Sequence, residues 1–587
     1  MARSRRCVGI AVVTFFVVAI IIAATIYVVC CHHRITSPPE PPTKKAQPLY
    51  EPAMAPEPPT KMAQPLYGPA MVSVEQACQA TRNPIGCGAT LAAPNDPSLP
   101  NLNYVPIKML RHATRICIRN VKTVQNLIAI ILKKYPNDQK VAKPAKTCME
   151  VLQNAEHRQE STLDALSRRE IKEARAWMSA SLVYESLCFN GLNKTGSDLR
   201  DVKDVVMYMP SVVNITSEAL SVIRSYDIYR NNTDSWAPPR TERDGFWEYV
   251  GGSGDVWALG FKGGFPSGLT ANVTVCKSRS GENCEYTFQL RDAVDAAPSN
   301  ETERKFVIRI KEGVYNETVR VPLEKKNVVF LGDGMGKTVI TGSLNVGQPG
   351  MTTYDSATVG VLGDGFMAKD LTIENTAGPR GNQAVAFRSD SDRSVLENVE
   401  FLGNQDTLCA NTLRQFYKSC RIQGNVDFIF GFSASVFQNC LILFSPRDSS
   451  SDQNVITAHG RFDPAQTTGF VFLNCTVTGT ATYMEKYEKQ SSVSVVTSFL
   501  GRPWKEYSRT VFINCNLGPI ISPEGWLPWD RDFGLATLYY GEYGNSGPGS
   551  VLSNRVKWSS RISADHLEAY SVQNFIQGDR WIPLSSG

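Results

Sequence analysis

The C-terminal half of the chain repeats itself, and this repeat restricts the possible fold more than any other feature. SVFQNCLI at 435–442, GFVFLNCTV at 469–477 and TVFINCNL at 510–517 are close copies, and SVLENVEF at 394–401 and QFYKSCRI at 415–422 are more distant ones. Each copy is β-branched or aromatic and is bounded by Gly and Asn, residues that turn a chain. The closest copies start about 20 residues apart, whereas a propeller blade needs longer and more uniform repeats. One strand-bearing coil per copy, stacked in parallel on its neighbours, predicts an all-β right-handed parallel β-helix. Asn439, Asn474 and Asn514 then fall at matching corners of successive coils.

A shorter echo lies inside this repeat. Gly403-Asn404-Gln405-Asp406 is followed 21 residues later by Gly424-Asn425-Val426-Asp427. One coil apart, the two aspartates occupy equivalent places on adjacent strands, which lie about 4.8 Å apart. Two carboxylates that close repel when both are ionised, so one holds its proton and the pair can serve as acid and nucleophile. Asp also favours turns, so spacing alone leaves a purely structural reading open.

Other hydrolytic chemistries are poorly supplied. Beyond residue 270 the only histidines are His459 and His566, and the chain contains no Gly-x-Ser-x-Gly, which argues against a serine triad. There is no His-Glu-x-x-His and no Cys-x-x-Cys, so no metal or organic cofactor is expected. Gly332-Asp-Gly-Met-Gly-Lys-Thr338 resembles a phosphate loop but has Leu331 where that motif needs glycine. It reads as a tight turn.

Upstream the character changes. Arg3, Arg5 and Arg6 precede an uncharged apolar run from Cys7 to Cys31. About 20 apolar residues span a bilayer, while the core of a cleaved signal runs about 7–15. Residues 1–34 therefore read as a signal-anchor with its arginines in the cytoplasm, or as a long cleaved signal peptide. Both readings deliver the rest to the secretory pathway. Seven Asn-x-Ser/Thr sequons, starting at Asn193, Asn214, Asn231, Asn272, Asn300, Asn316 and Asn474, agree with that route. So do 15 cysteines without a Cys-x-x-Cys pair, a usage that favours disulfides.

Residues 35–72 are a proline-rich linker in which EPPTKKAQPLYEPAM, from Glu40, recurs as EPPTKMAQPLYGPAM from Glu57; so much proline predicts an extended spacer. Over residues 73–230 the apolar period is helical, as in Val121, Val124, Leu127, Ile128 and Ile131, with similar runs at 147–166, 170–191 and 212–228. An all-α four-helix bundle is the simplest assembly. Cys148 and Cys188 are forty residues apart and could join two neighbouring helices, while Cys78 and Cys87 are nine apart near its start. Residues 231–270, rich in Gly, Pro and Trp, form a connector, and 271–587 hold the β-helix. A net charge of +5 on 587 residues suits an acidic polysaccharide and does not suggest nucleic-acid binding.

Specific segments then match a family in order: GVYNE at 313–317, QAVAFR at 383–388, GNQDTL at 403–408, VDFIFG at 426–431 and LGRPWKEYSRT at 500–510. On these residues the β half resembles plant pectin methylesterases, and residues 73–230 resemble the inhibitor-like pro-region that many of them carry. The resemblance implies hydrolysis of methyl-esterified homogalacturonan in the cell wall to pectate and methanol, without a cofactor. It implies Asp427 as nucleophile, Asp406 as proton donor and acceptor, Gln383 and Gln405 as stabilisers of the oxyanion, and Arg502 as the group that orients Asp427. Thr353, Gln383, Phe430, Arg502 and Trp504 would contact the sugar. It further implies disulfides Cys420–Cys440, Cys78–Cys87 and Cys148–Cys188, and an intramolecular contact between inhibitor-like and catalytic domains. Cys276 and Cys284 could close a short loop, and Cys475 and Cys515 could be stacked core residues.

The chain departs from the family pattern in places. Cys409 stands where the family usually has Tyr beside the substrate cleft, Asn404 replaces a usual Tyr, and Gly431-Phe432 replaces Gly-Asn. The connector lacks the dibasic site at which many relatives are cut; its nearest basic pieces are Arg240-Thr-Glu-Arg243 and Lys262. Release of the pro-region is therefore expected to be inefficient or to use another site. Two other functions compete: a glycosidase or lyase on the same scaffold, and a membrane-tethered inhibitor or wall-binding protein.

Overall fold

The computed structural model describes residues 71–92, 103–248, 261–277, 284, 286–287, 289–447, 453–489 and 497–584. The expected leader and the duplicated proline-rich linker lie outside the described residues. Four long helices come first: α1 (Pro106–Lys134), α2 (Gln139–Arg168), α3 (Ile171–Asn193) and α4 (Arg200–Tyr229). In α1, Val121, Val124, Ile128 and Ile131 recur at helical spacing and are fully buried, so one apolar stripe drives its packing. Pro106 opens α1, where a missing N–H costs nothing. The Asp138 side chain caps α2 by accepting from the Lys140 N–H, and Arg169 ends it in the left-handed region.

Cys148–Cys188 ties α2 to α3, and Cys78–Cys87 ties together the short helices Val74–Cys78 and Pro84–Leu91. A third bridge, Cys276–Cys284, closes a short loop near the start of the β region. By length and composition, α4 is the one helix among the described residues apolar enough to cross a membrane. Its Val202, Val205, Met209, Val212 and Leu220 are instead buried in the helical cores.

The β region winds into coils with three faces. One face is a seven-stranded parallel sheet: β1 (Val319–Val321), β2 (Val359–Val361), β3 (Phe387–Ser389), β4 (Leu408–Ala410), β5 (Val426–Gly431), β6 (Asn454–His459) and β7 (Ser498–Gly501). A second face includes Arg414–Lys418, Ala434–Gln438, Gly469–Leu473 and Arg509–Ile513, each parallel to the next. The third includes Arg421–Gly424, Leu441–Phe444 and Thr476–Gly479. Asn439, Asn474 and Asn514 turn the corner between these last two faces with φ of 55° to 56°, a left-handed conformation that Asn tolerates better than most residues. That geometry is why the repeat carries Asn there.

The residue after each corner points inward. Cys420, Cys440, Cys475 and Cys515 are buried, unbridged thiols, which corrects the expected Cys420–Cys440 disulfide. The corner repeat puts all four in one column. Each Sγ is already satisfied by a carbonyl oxygen of the preceding coil, as in Cys440 to Tyr417 at 3.5 Å and Cys475 to Phe437 at 3.3 Å. Beside them Tyr417, Phe437, Phe472 and Phe512 stack at centroid distances of 4.7, 4.6 and 4.3 Å, each contact adding about 0.5–1.5 kcal/mol beyond burial. Gly332–Lys337 is the turn between Val328–Leu331 and Thr338–Gly342, as its sequence implied.

Candidate active site

The sheet register decides which side chains meet. Leu408 on β4 pairs with Ile429 on β5, so Asp406 falls beside Asp427 on the next coil, and the Asp406 N–H donates to the Val426 carbonyl at 3.1 Å. Both aspartates have left-handed backbones, φ 64° and 49°, of a kind that persists only where the surroundings enforce it. Against β6, β5 loses regular register between Val426 and Ile429, an irregularity able to re-aim the Asp427 side chain.

Arg502 follows directly on β7, anchored by its N–H to the Thr457 carbonyl at 2.9 Å. Its Nε donates to Asp427 Oδ1 at 2.9 Å and its Nη2 to Oδ2 at 2.6 Å, a two-pronged fork that a planar guanidinium makes and an ammonium cannot. The Trp529 ring lies 4.5 Å from this guanidinium. Sequence reasoning missed Trp529, because nothing in its local pattern separates it from any other surface tryptophan.

The two carboxyls differ in environment. Burial and the neighbouring Asp427 charge push Asp406 well above the usual carboxylate range, with only Arg502 opposing. Burial also raises Asp427, but the Arg502 hydrogen bonds and charge act against it. Arg502 thus acts more directly against the upward push on Asp427 than against that on Asp406. His459 does not compete as a base: burial drives its pKa well down, and its ring is bonded to the Ser433 carbonyl and to backbone N–H groups of Arg461 and Arg509.

Gln383 and Gln405 lie on adjacent coils, joined by the Ala384 N–H to the Gln405 carbonyl at 3.2 Å. Both are partly exposed, and neither side-chain amide is bonded within the described residues, so both can meet a ligand. The floor beside them is apolar: Ala357, Val385, Cys409, Phe430 and Ala458 form one small cluster, with Trp504 packed on it. Phe432, in place of the usual Asn, supports Trp504 at 4.6 Å between centroids. Cys409 is buried beside Arg388 and Phe430 in register, and burial keeps its thiol protonated. Thr353 sits in the neighbouring 352–355 turn, next to Tyr354, whose ring covers Arg388 at 3.3 Å. It makes no hydrogen bond to the aspartates.

The pectinesterase family model matches residues 272–579, just over half of the chain, and a plant invertase/pectin methylesterase inhibitor model matches residues 72–222. The chain belongs to the pectinesterase family. It is 56% identical over 518 residues to the probable pectinesterase/pectinesterase inhibitor 64 of Arabidopsis thaliana, covering 86% of this chain and 84% of that one. Pectinesterase 2 of Citrus sinensis is 49% identical over 319 residues, covering 54% of this chain and 59% of that one. Among solved structures, the pectin methylesterase from carrot superposes with a TM-score of 0.50 at 43% identity, covering 54% of this chain and 96% of that one. This pectinesterase is thus a carboxylic ester hydrolase that demethylesterifies pectin, and the inhibitor-like match explains the helical half that precedes its parallel β-helix. The glycosidase and wall-binding readings fall with that assignment.

Proposed function

We propose that this pectinesterase works through an aspartyl nucleophile, and the observation that carries the reading is the Arg502 fork on Asp427 with Asp406 buried one coil away. The Asp427 carboxylate attacks the C6 carbonyl carbon of a methyl-esterified galacturonate. Negative charge develops on the carbonyl oxygen, where the Gln383 and Gln405 amides donate hydrogen bonds. The tetrahedral intermediate collapses, the C–O bond to methoxide breaks, and Asp406 supplies the proton that makes methanol. An anhydride now joins Asp427 to the sugar. Asp406, deprotonated, takes a proton from water as that water attacks the anhydride. The products are a galacturonic acid, which releases its proton to solvent, and the Asp427 carboxylate, with Asp406 again protonated. Phe430 and Trp504 offer apolar faces to the sugar rings, and Thr353 is read as a further sugar contact.

The chain as a whole is read as a wall enzyme that travels the secretory pathway, anchored or cleaved at residues 1–34. The disulfides Cys78–Cys87, Cys148–Cys188 and Cys276–Cys284 support an oxidising route. The helical bundle is read as engaging the β-helix of its own chain, supported by contacts such as Tyr184 to Thr412 at 3.0 Å. Methanol release from highly methylated pectin tests the chemistry. Asp427→Ala should lower it by about 10³-fold or more while polymer length stays unchanged in both proteins. Substantial methanol from the folded variant would remove Asp427 from the nucleophile's role.

A further inference from the structure

The connector is built into both halves. Trp236 is buried in the helical core. Eleven residues on, Trp247 stacks on His566 at 4.0 Å and meets Tyr539 and Tyr570 edge-on, all three on the β side. Two connector glutamates hold a pair of arginines each. Glu248 accepts from Arg175 at 2.6 and 2.8 Å and from Arg224 at 3.0 Å, both arginines belonging to the bundle. Glu242 accepts from Arg509 and lies 3.7 Å from Arg461, both belonging to the β-helix. Arg175 closes the junction, because its Nη2 also donates to the Ala465 carbonyl of the β-helix at 3.0 Å.

Direct contacts flank this junction. Arg158 on α2 makes two bonds of 2.7 Å to Asp364, and the Trp177 indole on α3 donates to Asp392 at 2.9 Å. Arg82 and Ser217 both donate to Asp463. Arg158 and Arg175 are 1% exposed. A buried cation that loses its carboxylate is left with uncompensated charge, so these pairs resist separation far more than surface pairs do.

We propose that the bundle and residues 236–248 form a docking surface whose partner is the edge of the β-helix that carries Asp364, Asp392 and Asp463 together with Arg461 and Arg509, and that this surface holds the two halves together after the chain between them is cut. Proteolysis would then yield a two-chain enzyme rather than a freed catalytic half. The basic pieces at Arg240 and Arg243 lie inside the clasp: the Arg240 carbonyl accepts from Arg224 at 2.8 Å, and Thr241 and Asp244 cap one another. Cutting there disrupts the clasp itself.

The proposal rests on the cis engagement read above, so the test separates the two. A site-specific protease sequence replaces residues 253–258 in the full chain, and hydrogen exchange of residues 408–418 before cutting reports whether the bundle is seated. Lack of protection there overturns the docking and the clasp together. After cutting, the fragments should co-elute on size exclusion. Arg175→Gln with Glu242→Gln should weaken their association about a hundredfold. Arg158→Asp should weaken it likewise, and adding Asp364→Arg should restore it, which a folding defect would not allow. Separation of the wild-type fragments while each keeps its circular dichroism would overturn the clasp alone, as would variants that associate as tightly as wild type.

Discussion

The helical bundle and the β-helix each bury a carboxylate, and the two are held in opposite ways. Glu185 on α3 is fully buried and accepts from Gln159 at 2.8 Å, Ser181 at 3.2 Å and Thr216 at 2.8 Å, all neutral donors. Burial wins over these hydrogen bonds, and its pKa is pushed up to about 8. Asp427 is nearly as buried but faces the Arg502 fork. Neutral hydrogen bonds are enough to seat a buried acid; a guanidinium in register is needed to keep one available as an anion. Asp406, buried next to another carboxylate, stands closer to Glu185 than to Asp427.

Exchanging those environments tests the contrast. Arg502→Gln gives Asp427 only a neutral donor, as Glu185 has. The rate of methanol release should fall about a hundredfold, and on the proposed mechanism the acid limb of the pH–rate profile should move to higher pH with Asp427. An unmoved limb would mean that Arg502 only positions the carboxylate. The bundle provides the next effect. A carboxyl whose folded pKa is raised stabilises fully below its unfolded pKa, and that contribution is lost as pH rises through the folded value. For Glu185 the window runs from about 4.5 to about 8, at no more than about 1.4 kcal/mol per pH unit. The bundle should therefore melt lower at pH 8 than at pH 5, and Glu185→Gln should flatten the difference. Equal slopes in both proteins would place the titration elsewhere. The smallest effect is expected at Cys409→Tyr, which adds a ring beside Phe430. KM on pectin should fall several-fold with little change in kcat, as measured from initial rates.

Sequence and structure agree best where the chain repeats. The corner asparagines were legible because a left-handed turn selects for Asn once per coil, and the aspartate pair because its 21-residue offset equals the coil. Arg502 and Trp504 had no such signal. They reach the site from β7, some 75 residues beyond Asp427, and only their resemblance to a known motif pointed to them. The resemblance implied a contact between the halves, but none of the residues that make it were legible. Arg158 and Asp364 are 206 residues apart, with no periodicity linking them, and Gly, Pro and Trp marked residues 231–270 only as a connector although Trp236 and Trp247 are packed. The expected Cys420–Cys440 bridge shows the reverse: the positions were read correctly as neighbours on adjacent coils, but a column of four thiols satisfied by carbonyls needs no bond between any two.

The two aspartates share a backbone conformation, a place in their coils and a local sequence, Gly-Asn-x-Asp. A coil that carries one aspartate at its turn has no chemistry of its own. Two such coils stacked present two acids side by side, and only their neighbours need differ for the two carboxyls to differ. The aspartate pair follows from stacking two like coils, and deleting one coil in frame would return the place to an ordinary turn.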